Sequence, residues 1–562
     1  MQPTLAGKIL GFLLVLGVLA VGAYVVMTKQ KQAAPAPPAP AGAAATQTPD
    51  ATPRTAGAVP DSDDLLAETR ESTARLAEPQ PYHPKDNVVD IEISQYAGYA
   101  GLIVANNGLQ PNENSLFFRN HGFKVRLAIS EEESWSALNS GKMAAAPTTV
   151  DVLAVYGKQF NVVAPVQIGY SRGADALVVR SDISRVNDLK GKTLVTAQFT
   201  EVDFFIRYLA QEAGLSINPL PNLNSAPSPD AINLLFAKEG FGAADLLLKD
   251  VKNNWNRLAG CTTWAPRSDE VVEESGGALK VLASNRNLLI VADVLAVNRG
   301  FVQNHPKMVE GLVAGILAGN KLVREDPARF ADLIEKSFGW EKGDAKAELA
   351  KVHLSNLAEN LAFFSGEIDT AGSFSGIFAS ATLAYGTKVV RDPVSADKFM
   401  DTTVLKAMQA SGAFPDEKVA IAPVRIGGTA SVERNPILSK NIRFLFEPNS
   451  AKLDMADAKN LANLSAIQEM IRVSPGSLLL LRGHVDDGQK SEFAKGGEAR
   501  LRQGALRAMK LSKDRADEIK RILVERKIAD DRIDTIGLGW EEPLGPDSDE
   551  NRRVEVQWFT LE

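Results

Sequence analysis

The residues able to do chemistry in this chain are polar groups placed at the ends of strands and the starts of helices. Gln95, Tyr96 and Tyr99 follow a strand and offer amide and aromatic contacts. Thr148, Thr149 and Asp151 open a helix, where hydroxyls and free backbone N–H groups can hold an anion or a carboxylate. Thr200 stands where an N-cap would, with Asp203 three residues on, a variant of the capping box. For Thr149 and Thr200 capping and ligand contact are both open, and one residue can do both. The five histidines, His83, His121, His305, His353 and His484, contain no pair at metal-ligand spacing. The chain has no phosphate loop and no nucleophile elbow. Its single cysteine, Cys261, reads as a small buried apolar residue and excludes an internal disulfide. This inventory points to binding rather than catalysis, with no cofactor and no metal implied.

The elements that must position these groups follow from periodicity. At 562 residues the chain is too long for one core. A composition 45% hydrophobic and 23% charged is ordinary for globular domains, and a net charge of −7 without blocks of like charge argues against a nucleic-acid partner. Ile9 to Met27 is a charge-free run rich in Leu and Val, flanked by Lys8, Lys29 and Lys31. It is long enough to cross a bilayer and continues past the weak cleavage site at Ala20 and Gly22, so residues 1–30 are expected to form an uncleaved membrane anchor. Residues 31–85 read as a linker: 33–60 are rich in Pro and Ala and behave as an extended spacer, and 61–77 look briefly helical.

From 86 to 425 β-rich runs alternate with amphipathic helices, which predicts an α/β domain with largely parallel sheets. Val88–Ser94, Lys124–Ile129, Ala176–Arg180 and Thr193–Thr196 read as strands, and Phe204–Ala213 and Pro327–Phe338 as helices. Residues 430–562 form a separate α+β unit of order β-α-β-α-β-β, opening with the strand Ile442–Phe446 and closing with Val554–Phe559.

Four ordered matches give the C-terminal unit a resemblance. They are Phe444 with Pro448-Asn449-Ser450-Ala451 and Leu453; Gly483-His484-Val485-Asp486; Leu511-Ser512 with Arg515-Ala516; and Asn551-Arg552-Arg553-Val554-Glu555. The unit resembles the OmpA-like peptidoglycan-binding domain. The resemblance implies that Asp486 and Arg515 grip the diaminopimelate of the stem peptide, a carboxylate on its ammonium and a guanidinium on its carboxylate. Two features depart from the family pattern. Ala508 stands where the family has Asn, and a charged segment, about Gln489 to Met509, lengthens the interval between Asp486 and Arg515. The resemblance requires that segment to loop out.

Residues 86–410 resemble type II periplasmic solute-binding proteins of the nitrate, sulfonate and taurine ABC-transporter group. The markers are Gln95-Tyr96-Ala97-Gly98-Tyr99, Leu138-Asn139-Ser140-Gly141-Lys142-Met143, Asp188-Leu189-Lys190-Gly191-Lys192 and Gly242-Ala243-Ala244-Asp245. The resemblance implies a two-lobed clamshell, with lobes at 86–180 plus 296–425 and at 181–295. Its ligand would lie between Gln95, Tyr96, Tyr99, Thr148, Thr149 and Thr200, with Ser171 and Arg172 near the crossover and Arg172 neutralising an anion. The expected protein is a single-pass inner-membrane protein with periplasmic domains. It binds a small polar or anionic solute, attaches to peptidoglycan and pairs with an ABC permease. The alternative is a wall-anchored, stator-like scaffold whose clamshell serves protein contacts.

Overall fold

The computed structural model of the protein describes residues 64–130, 134–368, 372–421, 436–447, 450–472, 477–545 and 548–559. The expected anchor, Ile9–Met27, lies outside the described residues, and no helix among them is long and apolar enough to cross a membrane.

Two α/β lobes face one another. The first is built on a sheet of β1 (Val88–Ile93), β2 (Lys124–Ile129), β3 (Ala145–Thr149), β4 (Val162–Val163), β5 (Gln167–Ser171), β12 (Ala292–Asn298) and β13 (Val352–Leu354), in the order β13-β5-β12-β3-β1-β2 with β4 beside β12. The second carries β6 (Asp175–Arg180), β7 (Thr193–Ala197), β8 (Ser216–Pro219), β9 (Ala231–Ala237), β10 (Gly260–Trp264) and β11 (Leu279–Ser284), in the order β11-β6-β10-β7-β9-β8. Central strands are buried on both faces, as in β9 and β12, which is why they read as unbroken apolar runs.

The chain passes from one sheet to the other twice, between β5 and β6 and between β11 and β12. These crossings correct the expected lobe boundaries. Asp175–Arg180 belongs to the second lobe, held antiparallel to β10 and β11, and Ala292–Leu295 belongs to the first, paired with β3 and β5. A strand buried on both faces carries no mark of which sheet will accept it.

Residues 64–85 correct a second expectation. The described part of 61–77 forms no helix. Ala67 N–H donates to the Phe236 carbonyl and Lys238 N–H to the Leu65 carbonyl, so the end of β9 takes the backbone groups a helix would have used. Further on, Leu76 N–H donates to Gln159 Oε1 at 3.0 Å and Tyr82 N–H to Asn298 Oδ1 at 3.1 Å, both in the first lobe. The segment is a strap joining the lobes.

The C-terminal unit is a four-stranded sheet of β14 (Leu438–Ile442), β15 (Leu478–Gly483), β16 (Ile533–Gly537) and β17 (Val554–Phe559), in the order β14-β17-β15-β16. Its opening strand lies earlier than Ile442–Phe446. Ile442 pairs with Val554, the first residue of β17, so Arg443 onward has no partner strand. Three helices matter here: α1 (Ala458–Arg472), α2 (Lys490–Lys495) and α3 (Glu498–Glu525). The charged segment does not loop out. It becomes α2 and the first turns of α3, with Phe493 packed on Trp540 at 6.1 Å between ring centroids, beside Val485 and Ala508. This unit touches the second lobe, where the Asn187 side chain donates to the Ser439 carbonyl at 2.9 Å and accepts from Ser439 N–H at 2.8 Å.

Helix α3 lies close against β15 and β16 because glycines face it. A Cβ on Gly483 would meet the Ser512 carbonyl oxygen at 2.0 Å, and one on Gly537 the Met509 carbonyl oxygen at 2.3 Å. Backbone cannot yield as a side-chain end can, so Gly483→Ala is expected to destabilise this unit by about 1–3 kcal/mol. A Cβ on Gly545 meets nothing nearer than 3.7 Å, so Gly545→Ala is the matched control. Urea denaturation followed by tryptophan fluorescence checks this, and equal midpoints for the two variants would refute the close-packing account.

Candidate functional site

The space between the lobes is a cavity of about 600 Å³. It opens at the carboxyl ends of β1, β3 and β7, where α/β folds gather ligands. Tyr96, Tyr99, Thr148, Thr149, Ser171 and Thr200 line it, as the sequence suggested. Two of the expected residues do not. Gln95 turns away and donates through Nε2 to the Phe338 carbonyl at 2.9 Å. Arg172 is buried, with Nε donating to the Arg286 carbonyl at 2.6 Å, and burial followed by the Arg286 charge lowers its pKa. Its guanidinium serves a backbone carbonyl at the crossover instead of facing a solute.

The helix starts also differ from expectation. The helix Val150–Tyr156 has Thr149 as its cap residue, yet the Thr149 hydroxyl makes no capping bond. Thr200 likewise caps nothing: its hydroxyl donates back to the Ala197 carbonyl at 2.8 Å. Asp203 accepts from Phe199 N–H at 3.0 Å and pairs with Arg207 at 2.7 Å. Phe199, on the cavity wall, is thereby held at a φ of 67°, a conformation that costs energy for a non-glycine residue.

Sequence reasoning missed the floor. Asp175 opens β6 and Asp293 lies near the start of β12, and the two crossovers bring both to the cavity at 3% exposure each. Register explains the neighbours: Asp293 faces Thr149 across β3, and Asp175 faces Trp264 across β10. Tyr99 Oη donates to Asp293 Oδ1 at 3.1 Å, and Asn285 Nδ2 donates to Asp175 Oδ2 at 2.6 Å. The available signal was a carboxylate at the head of an otherwise apolar run, Asp-Ala-Leu-Val-Val and Ala-Asp-Val-Leu-Ala-Val.

Burial raises the Asp175 pKa to about 6, with bonds from Ser171 and Asn285 offsetting part of the effect. Burial raises Asp293 well above the ordinary carboxylate range, and the Asp175 charge adds to it. Beneath the cavity, burial lifts Asp151 to about 7 against the pull of the neighbouring Thr149 hydroxyl. Four buried lining groups, Tyr96 Oη, Thr148 Oγ1, Thr149 Oγ1 and Ser171 Oγ, have no protein hydrogen-bond partner of normal geometry. Unmet polar groups of this kind are costly unless something else satisfies them. Trp135, Phe199 and Trp264 supply apolar wall.

In the C-terminal unit the structure brings Asp486 and Arg515 into one cluster. The Arg515 guanidinium lies 4.9 Å from the Phe446 ring centroid, and its Nε donates to the Ser450 carbonyl at 3.3 Å. Burial, then the charge of Arg552, lower its pKa, while Asp486 opposes them. Asp486 Oδ2 lies 3.9 Å from Arg552 Nε, so Arg552 is a second cation here that sequence reasoning did not single out. Elsewhere in this unit, His484, Glu542 and Glu555 bring side-chain nitrogen and oxygen atoms within 4.8 Å of one another. Arg482 already bridges Glu555 at 2.5 Å and Glu542 at 2.9 Å, which marks an ion-pair network. Burial works against the Glu555 charge, but bonds from His484 and Gln557 and the Arg482 charge hold its pKa at about 2.

Residues 445–557 match the OmpA family model. Similar solved structures include the periplasmic aliphatic sulphonate binding protein SsuA from Escherichia coli, 13% identical, covering 62% of this chain and 100% of its own, TM-score 0.42. The periplasmic nitrate-binding protein NrtA from Synechocystis PCC 6803 is also 13% identical, covering 61% of this chain and 93% of its own, TM-score 0.42. The desulfurization enzyme DSZB is similar too, 13% identical, covering 58% and 99%, TM-score 0.39. No curated protein sequence matches the chain.

The raised Asp151 pKa has a consequence for stability. An unfolded chain ionises this carboxyl near the ordinary 3.8, whereas the folded chain holds the proton to about pH 7. Between those values the folded state binds more protons, so stability falls as pH rises from about 4 to 7. At about 1.4 kcal/mol per pKa unit the loss is on the order of 4 kcal/mol. Asp151→Asn is expected to remove it, so that the variant gains on the parent in thermal melts at pH 8 and not at pH 4. Parallel pH profiles for the two chains would refute this reading.

Proposed function

We propose that the chain is a non-catalytic, inner-membrane-anchored periplasmic protein that captures a small polar solute in its two-lobed domain and attaches to peptidoglycan through its OmpA-type domain. The observation that carries the solute half is the cavity itself, where buried hydroxyls of the first lobe converge without a protein partner of normal geometry, facing the second lobe across the cleft. A clamshell kept only for protein contacts would have no reason to leave such groups unmet. The anchor rests on the charge-free run Ile9–Met27, and the wall half on the family match and the Asp486, Arg515 and Arg552 cluster. An ABC permease is the partner suited to a protein of this kind; transport and sensing are the two uses the arrangement supports.

Melting the full-length protein against cationic, anionic and neutral polar solutes tests the first half. A true ligand at a hundred times its Kd stabilises by about 2.7 kcal/mol, visible as a raised Tm. No shift from any class would favour the scaffold reading. For the wall, Asp486→Ala and Arg515→Ala are each expected to weaken co-sedimentation with purified sacculi roughly ten- to a hundredfold, the loss of one charge-assisted pair. Lys490→Ala, in the charged segment, should change little. If the parent chain does not sediment with sacculi, the domain serves another purpose.

A further inference from the structure

The charge of the cavity is the reverse of what an anion needs. Its described lining carries six carboxylates, Glu68, Glu92, Asp175, Glu201, Glu239 and Asp293, against two cations, Arg70 and Lys238. The cations are exposed, at the mouth, whereas Asp175 and Asp293 are buried on the floor. No lysine or arginine among the described residues pairs with Asp175 or Asp293, although Asp203 nearby is fully paired with Arg207. Arg172, the one cation the sequence offered for an anion, is turned to a carbonyl.

Two further observations point to a ligand and to its sign. Tyr96 Oη, Thr148 Oγ1, Thr149 Oγ1 and Ser171 Oγ line the same space, are at most 9% exposed, and have no protein partner of normal geometry. Aromatic rings line the same cavity: Tyr96 and Tyr99 edge to face at 5.2 Å, together with Trp135, Phe199 and Trp264. Buried carboxylates and aromatic rings lining one cavity are the combination that holds an organic ammonium, by ion pairing and cation–π attraction. An anion in the same place would require both acids to stay neutral, because an ionised Asp175 or Asp293 would repel it in a low-dielectric pocket.

Resting on the solute-binding reading above, we infer that the cleft takes a small organic cation, an amine or quaternary ammonium compound, whose charge sits between Asp175 and Asp293. Burial also favours the neutral acids, so the arriving cation takes the place of a proton on this pair. Asp151, Glu201, Tyr96, Tyr99 and the Asp203–Arg207 pair are the other titratable or charged groups around it.

Isothermal titration of the full-length protein tests this with choline and putrescine, with 3,3-dimethyl-1-butanol as choline's neutral isostere, and with nitrate and methanesulfonate. At least one of the two cations is expected to bind at least tenfold more tightly than the isostere and both anions. Asp175→Asn and Asp293→Asn should each weaken that binding roughly ten- to a hundredfold. Both replacements relieve a buried charge, so the variants should fold, and melting curves verify it. Binding of nitrate, methanesulfonate or the neutral alcohol in preference to the cations would overturn the ligand class and leave the solute-binding reading standing. Cation binding indifferent to both substitutions would overturn the assigned position. Silence from every compound overturns this proposal and counts against the solute-binding reading itself.

Discussion

Two crossings of the chain between sheets fix everything else in the two-lobed domain. Because β5 runs into β6 and β11 into β12, the strand beginnings at Asp175 and Asp293 both arrive at the cleft. Each carboxylate is desolvated there, and the Asp175 charge adds to the cost of ionising Asp293. Neutral acids, or a cation between them, are the two arrangements that relieve this, and the surrounding hydroxyls and rings are consistent with the second. The strap of residues 64–85 adds to the enclosure. It accepts a hydrogen bond from the second lobe at Leu65, donates to that lobe at Ala67 and to the first lobe at Leu76 and Tyr82, and it contributes Ala67, Glu68, Arg70, Ala74 and Leu76 to the cavity lining.

In the C-terminal unit the governing constraint is contact between backbone and backbone. Gly483 and Gly537 let α3 settle onto β15 and β16, and Ser512 Oγ accepts from Gly539 N–H at 2.9 Å. These contacts explain why Gly-His and Leu-Ser occur together: one supplies the missing side chain that the other's carbonyl fills. Arg515, one turn beyond Ser512, is thereby aimed at the loop that carries Asp486. The added segment leaves this geometry in place. Its α2 packs on α3 through Phe493, whose ring occupies the space a Cβ on Gly504 would need. Ala508, where the family has Asn, lies in this apolar cluster, so the position has exchanged a polar side chain for packing.

The sequence by itself determined the element types and the class of each domain. Strand and helix periods survive in a single chain because they reflect local side-chain direction, and Lys124–Ile129, Pro327–Phe338 and Val554–Phe559 stand where periodicity put them. Motifs with fixed spacing, such as Gly483 to Asp486 and Leu511 to Ala516, were legible for the same reason. So were the cavity residues next to strand ends: Tyr96, Tyr99, Thr148, Thr149, Ser171 and Thr200. Only the tertiary structure decided which sheet received β6 and β12, where Arg172 and Gln95 would point, and that 64–77 would run as a strap. Each of these depends on partners more than a hundred residues away, or on which of two competing acceptors a donor reaches. The sign of the cleft was decided there too. Asp175 and Asp293 are ordinary carboxylates in sequence, and they become a pair only when two crossovers bury them together, because charge in a protein is set by what surrounds it.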